Sequence, residues 1–173
     1  MTVKLYLIEP SDVIAVGNIS ENIDDATINK AIEVAQDQDI DPAIGTALLI
    51  DLLNTSLSAN LTKLYNGCSF TVDSVIYKHS GIKKACAWYA SARLIRSNKI
   101  NVTQYGVVNK TADESQQVNE KELIAQINTI IETANQYIKQ TIFYLESFPL
   151  LFPTYLNTNV ITRASTTVSS IGD

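Results

Sequence analysis

The residues able to do chemistry are few and scattered. His79 is the sole histidine, set beside Lys78, Ser80 and Gly81. A catalytic imidazole needs a nucleophile or an acid positioned against it, and nothing in the spacing supplies one, so His79 reads as an ordinary turn or surface histidine. Cys68 and Cys86 are the two cysteines. With no histidine pair beside them they do not complete a metal site. They read as buried or half-buried thiols, a disulfide being the lesser alternative. Asp24-Asp25 could serve as a carboxylate pair for metal or acid–base work, but helix-start chemistry already accounts for it, because carboxylates favour the positive end of a helix dipole.

The run Asp37-Gln38-Asp39-Ile40-Asp41 alternates carboxylates in the manner of a calcium loop. Such a loop needs Gly at its sixth position and a bidentate Glu at its twelfth, where this chain has Pro42 and Leu48. The calcium reading fails on both counts. Instead Asp41 is expected to cap a new helix, with Pro42 in its first position, where a missing N–H costs nothing. A Gly-x-Ser-x-Gly elbow, a phosphate loop and a dinucleotide fingerprint are all missing from the sequence. No catalytic residue, metal or cofactor is therefore assigned, and a non-enzymatic role is expected.

The elements that would carry these residues are mostly helical. At 173 residues with 46% hydrophobic content, the chain is long enough for one domain with its own core. It has no apolar run of membrane-span length and its N-terminus lacks a signal-peptide layout, so it is expected to remain on the cytoplasmic side. A net charge of −5 argues against general affinity for nucleic acid phosphates. The charge is uneven: the first part of the chain is acidic, while Lys78, Lys83, Lys84, Arg93, Arg96 and Lys99 make a basic middle.

The expected fold is mainly α: a small helical bundle with a long inter-helix loop, a minor β-hairpin and extended termini. Residues 1–156 form the helical domain and 157–173 a flexible, polar tail. Thr2–Ile8 reads as an extended segment that lies along a neighbour. Asp24 caps a helix running to about Asp37, with Ile28, Ala31, Ile32 and Ala35 on one face. Leu48, Leu49, Leu52 and Leu53 supply the buried face of the helix after Pro42. A break follows at Asn54–Ser58, then a short helix stopped by Asn66-Gly67, and a small hairpin turning at Asp73-Ser74.

Gly81 opens a helix to about Ser97 that is rich in small residues, which permit close packing. The longest helical pattern, Asn119–Glu146, starts with a capping box, Asn119 with Glu122. One of its apolar stripes is Leu123, Ile127, Ile130, Ala134, Tyr137 and Thr141; a second is Ile124, Ile131, Ile138, Ile142 and Leu145. Between the two helices, Asn98–Val118 reads as a long loop with an apolar patch at Tyr105-Gly106-Val107-Val108. After the long helix, Phe148–Leu156 is apolar but broken by Pro149 and Pro153, so it must fold back on the domain or cover a partner.

Two stretches carry a family resemblance. Ile19-Ser20-Glu21-Asn22-Ile23-Asp24, leading through Ile28–Ala35 to Ile40-Asp41-Pro42-Ala43-Ile44-Gly45-Thr46-Ala47-Leu48, resembles the opening helices of head–tail connector proteins of tailed bacteriophages. Gly81-Ile82-Lys83-Lys84-Ala85-Cys86-Ala87-Trp88-Tyr89-Ala90 is similar to their small-residue helix. Tyr105-Gly106-Val107-Val108-Asn109-Lys110 looks like the loop of the forms in phages of Bacteroidetes, including crAss-like phages. The resemblance spans Ile19 to Glu146 and rests on the order of these stretches.

It implies a virion structural protein of the neck, a homo-oligomeric ring, typically of twelve copies, below the portal. The implied partners are the portal and neighbouring neck or tail ring proteins, with no membrane and at most passive contact with DNA in the channel. On this reading the interface residues are Tyr105, Val107, Val108, Ile124, Ile131, Ile142, Phe148, Leu151, Phe152 and Tyr155. On the same reading the first stripe of the long helix packs on Ile82–Ser97, and part of the second, around Ile124, Ile131 and Ile142, is left for another element or the adjacent subunit. The alternatives are another neck component, such as a stopper or tail-completion protein, and a cytosolic helical regulator that binds a host protein.

Overall fold

The computed structural model describes residues 5–16, 23–98, 100–103, 106–109 and 120–155. The described chain is mainly α, with seven α-helices and two small antiparallel hairpins: α1 Pro10–Val16, α2 Asp25–Ala35, α3 Asp41–Ile44, α4 Thr46–Leu53, α5 Ala59–Asn66, β1 Cys68–Val72, β2 Val75–His79, α6 Ile82–Asn98, β3 Ile100–Thr103, β4 Gly106–Asn109 and α7 Glu120–Ser147.

The centre of the fold is α6, which packs against α7, α2, α1 and α5. Its sequence explains this. Ala85, Ala87, Ala90 and Ala92 are buried, and a methyl side chain lets neighbouring helix axes approach closely on several sides. Larger groups lock the contacts. The Tyr89 hydroxyl donates to Asn135 Oδ1 of α7 at 2.6 Å, and Trp88 faces Tyr137 with ring centroids 6.4 Å apart. The first stripe of α7 meets α6 as its spacing predicts: Ala134 and Thr141 are fully buried, and Ile127 and Ile130 join Ala92 in a smaller apolar cluster.

The chain differs from its sequence reading in three places. The helix begun at Asp24, whose carboxylate accepts from the Thr27 N–H at 2.9 Å, does not stop near Asp37. It continues through a π-helical turn, Gln36–Ile40, directly into α3. Asp41 is therefore not a cap: the residue before α3 is helical and offers no side-chain cap. The reason is Ile40, which is fully buried; widening the helix by a residue turns it inward, as single π turns do. Gly45, at φ +85°, then separates α3 from α4.

The extended N-terminal segment also packs on its own domain. Leu7 and Ile8 belong to the core. The Leu7 N–H donates to Gln36 Oε1 at 2.9 Å, and the Tyr65 hydroxyl donates to the Leu7 carbonyl at 2.8 Å. The third difference is in the expected inter-helix loop, where Ile100–Thr103 pairs with Gly106–Asn109 as a second hairpin. The Asn119 cap and the tail beyond residue 155 lie outside the described residues.

The first hairpin forms where expected. Val72 pairs with Val75 across a two-residue turn, with Asp73 at φ 48° and Ser74 at φ 66°. Both signs are those of the tight turn that matches strand twist. After α7 the chain folds back. Phe152 is buried with its ring 5.5 Å from that of Tyr144, and Thr154 Oγ1 donates to Asp51 Oδ2 on α4 at 2.8 Å.

Candidate functional site

The fold brings two of the chemistry-bearing residues, Cys68 and His79, together at the foot of the first hairpin. Cys68 and His79 are register partners at the open end of β1 and β2, and their Sγ and Nε2 atoms lie 3.3 Å apart. His79 is not a surface histidine. Its residue is fully buried, its ring stacks on Tyr144 at 4.5 Å between centroids, and its Nδ1 has no hydrogen-bond partner among the described residues. Sequence reasoning missed this because a lone histidine before a glycine resembles a turn. The available signal was the pairing register, which places residue 79 opposite residue 68.

A thiol against an imidazole suggests a nucleophile and its base, yet the electrostatics oppose that role. Burial pushes the His79 imidazolium down to about 4, so the ring is neutral at pH 7. A reactive thiolate is generally stabilised by a neighbouring positive charge. Here the neutral ring can exchange a hydrogen bond with the thiol but offers no such charge. Tyr144 completes the cluster, its hydroxyl pushed up to about 12 by burial and by the neighbouring Cys68. Cys86 lies elsewhere, wholly buried in α6 with burial raising its thiol; both cysteines are free. Among the described residues no group of three His, Cys, Asp or Glu is placed to hold a metal ion. Asp24 is occupied by capping α2, and Asp39 accepts from Arg93 Nε at 2.9 Å.

Around this cluster aromatic rings run outward to the surface. Phe70 lies 5.7 Å from Tyr77, 5.0 Å from Tyr144 and 5.9 Å from Phe148. Tyr77 meets Phe143 of α7 edge-on at 4.9 Å. The outer members are partly exposed, and they adjoin the hairpin's Val75 and Ile76, the latter 77% exposed. Beyond α7, Leu150 is 94% and Leu151 44% exposed. The result is an apolar surface on which side chains are displayed rather than a cleft. A shallow hollow of about 230 Å³ between α1 and the start of α6 is bridged by the Lys83–Asp12 ion pair, 2.8 Å, and falls short of the ~300 Å³ at which ligand pockets begin.

The expected interface residues separate into groups. Ile124 is 50% exposed on α7 and Leu151 is exposed, as an interface requires. Ile131 and Ile142 are not free: both are half-buried and pack against the chain's own core. Phe148 and Tyr155 are likewise half-buried against it. Phe152 is a core residue, because the chain turns back after Pro149 and inserts that ring beside Tyr144. Val107 and Val108 lie on β4, opposite Val102 and Asn101, while Tyr105 is outside the described residues. The uneven charge is partly consumed inside the molecule, where Asp12 holds Lys83 and Asp39 holds Arg93.

Comparison with known proteins places this arrangement in a family. The profile of a family of unknown function, DUF6712, matches residues 40–165, most of the chain. The protein belongs to the DUF6712 family. The match includes α3 to α7, both hairpins and the whole Cys68–His79–Tyr144 cluster. No curated protein and no solved structure matches the chain. For this DUF6712 member, no described helix is long and apolar enough to cross a membrane.

Proposed function

We propose that this protein is a structural component of a phage virion, a head-to-tail connector that assembles as a ring below the portal, in twelve copies. The observation that carries the reading is the displayed apolar surface of the hairpin and the end of α7, with Ile76 and Leu150 largely exposed. Contiguous apolar side chains on a well-packed body mark an association surface. The ordered resemblance from Ile19 to Glu146 names the kind of assembly. The mainly helical fold favours a helical adaptor over a stopper or tail-completion component, which is more often β-rich. Partners on this reading are further copies of the chain, the portal and an adjoining neck protein.

Mass spectrometry of purified particles tests it. The chain is expected in mature virions at a copy number matching a ring. Its absence from particles would overturn the proposal and favour a regulator that binds a host protein. The tail is expected to serve attachment: deleting residues 157–173 should weaken retention of the ring on the portal, and unchanged retention would remove the tail from the interface.

A further inference from the structure

The first hairpin has an open edge. Its foot is fixed, because the backbones at Gly67 and Gly81 cross there and the buried His79 ring stacks on Tyr144. Among the described residues β2 pairs with β1 alone. The two-residue turn makes Val72 and Val75 a hydrogen-bonded pair, and the ladder repeats at Phe70 with Tyr77 and at Cys68 with His79. The N–H and C=O groups of Ile76 and Lys78 therefore point away from β1, along the outer edge of β2. That edge is apolar as well as unpaired. Val75, Ile76 and Tyr77 are exposed in succession, and Tyr77 meets the exposed Phe143 of α7. Such an edge is a template for a further strand.

The last described residues lie at the same foot. Phe148 is 5.9 Å from Phe70 of β1, and Phe152 is 5.5 Å from the Tyr144 ring that stacks on His79. The Tyr155 N–H donates to the Phe152 carbonyl at 3.0 Å. The sequence that follows is Leu156-Asn157-Thr158-Asn159-Val160-Ile161-Thr162. It alternates in the period of a strand: Leu156, Thr158, Val160 and Thr162 share one face, and Asn157, Asn159 and Ile161 the other. It carries no charge and no proline, and it is rich in the β-branched residues that suit a strand.

Direction selects the edge. β2 runs from the turn to the foot, so a strand leaving the foot toward the turn is antiparallel to β2 and parallel to β1; antiparallel pairing is the more stable. Residues 156–158 reach about 10 Å when extended, which brings Thr158 alongside His79. Val160 then falls opposite Tyr77 and Ile161 opposite Ile76, each on the matching face.

We infer that residues 158–162 of the chain's own tail add to β2 as a third, antiparallel strand and cover the hairpin's apolar edge in the free protein. The occupant is the same chain because the segment is tethered at the foot, which sets both its direction and a local concentration of about millimolar. The contact is inhibitory for the association surface proposed above: a partner that takes the hairpin edge must first displace the strand. It does not depend on the connector reading. On that reading, displacement frees the hairpin and the tail together for assembly.

Amide exchange in the full-length protein, read residue by residue by NMR, tests the inference. The Ile76 and Lys78 amides should exchange about tenfold or more slowly in the full chain than in a chain lacking residues 157–173, while buried α6 amides exchange alike in both. The full-length variant Val160→Asp/Ile161→Asp should match the deletion. The Ile161 and Ile76 methyl groups should show a nuclear Overhauser contact, and in a mixture of isotope-labelled and unlabelled chains it should stay within one copy. A single edge strand is released before the core melts, so local exchange rather than the melting midpoint reports it.

Equal exchange of the two amides with and without the tail, protection that survives the double substitution, or a contact found only between copies would each overturn the inference. These readouts are independent of virions. A chain absent from particles would end the connector reading and leave this contact standing, while a chain present in particles with an unprotected β2 edge would do the reverse.

Discussion

At His79 a single side chain links the hairpin to α7, through Cys68 Sγ at 3.3 Å on one side and the stacked Tyr144 ring on the other. Its imidazolium falls from 6.5 to about 4 because the buried ring loses water. The folded state thus binds fewer protons than the unfolded state between those values. Stability is fully present above the unfolded value, falls as pH drops through this window, and levels off below the folded one. The loss by pH 5 is on the order of 1 kcal/mol. His79→Phe, which keeps a ring against Tyr144, should flatten this part of the profile. Denaturant midpoints at pH 7 and pH 5 check it, and an unchanged slope in the variant would show that another group titrates.

Gly67 is the other residue with an outsized effect. A Cβ there would lie 2.6 Å from the His79 carbonyl oxygen at a φ of +90°, so Gly67→Ala should cost at least about 3 kcal/mol, read from urea unfolding. The sequence marked Gly67 as a helix stop through the preceding Asn66, yet it did not reveal the crossing with Gly81. That approach joins backbones that local pattern cannot relate.

Among the elements, α7 shows how far periodicity reaches. Its apolar positions span a wide arc, and the sequence correctly assigns the Ile127–Ala134–Thr141 stripe to α6. Division of the second stripe required the neighbours. Ile131 packs against both apolar clusters, Ile142 against the main core, and Ile124 is left half-exposed. Ile131→Glu should therefore destabilise the monomer by roughly 2 kcal/mol or more, through an unpaired charge brought against apolar groups, while Ile124→Glu should shift stability by less than about 0.5 kcal/mol. Thermal melts of the two variants make the comparison; equal losses would contradict the packing. An assembly defect from Ile124→Glu with a normal melt would place that residue on an interface.

For the whole molecule, the described body holds a continuous core from Leu7 to Phe152. Removal of residues 157–173 should leave the thermal transition within about 2 °C of the full chain, since residues from Leu7 to Phe152 already make a continuous core. A large drop would show that the tail contributes to folding. At this scale the molecule is an α6-centred bundle whose acidic front partly neutralises its basic middle through Asp12–Lys83 and Asp39–Arg93. The long helix therefore forms one flank, while the alanine-rich helix takes the centre, where close approach on several sides is needed.

By itself the sequence determined the mainly helical class, the cap at Asp24, the hairpin turn at Asp73-Ser74 and the pairing of α6 with the first stripe of α7. Each follows from local rules: a side-chain cap, a two-residue turn, or a repeat of the helical period. Tertiary structure alone decided that His79 is buried beside Cys68, that Ile40 draws the chain through a π turn, that Phe152 is core while Leu150 is surface, and that the Gly67 and Gly81 backbones cross. These depend on which distant segments meet. A period of apolar residues says that a face must be covered, but only the packed chain shows by what.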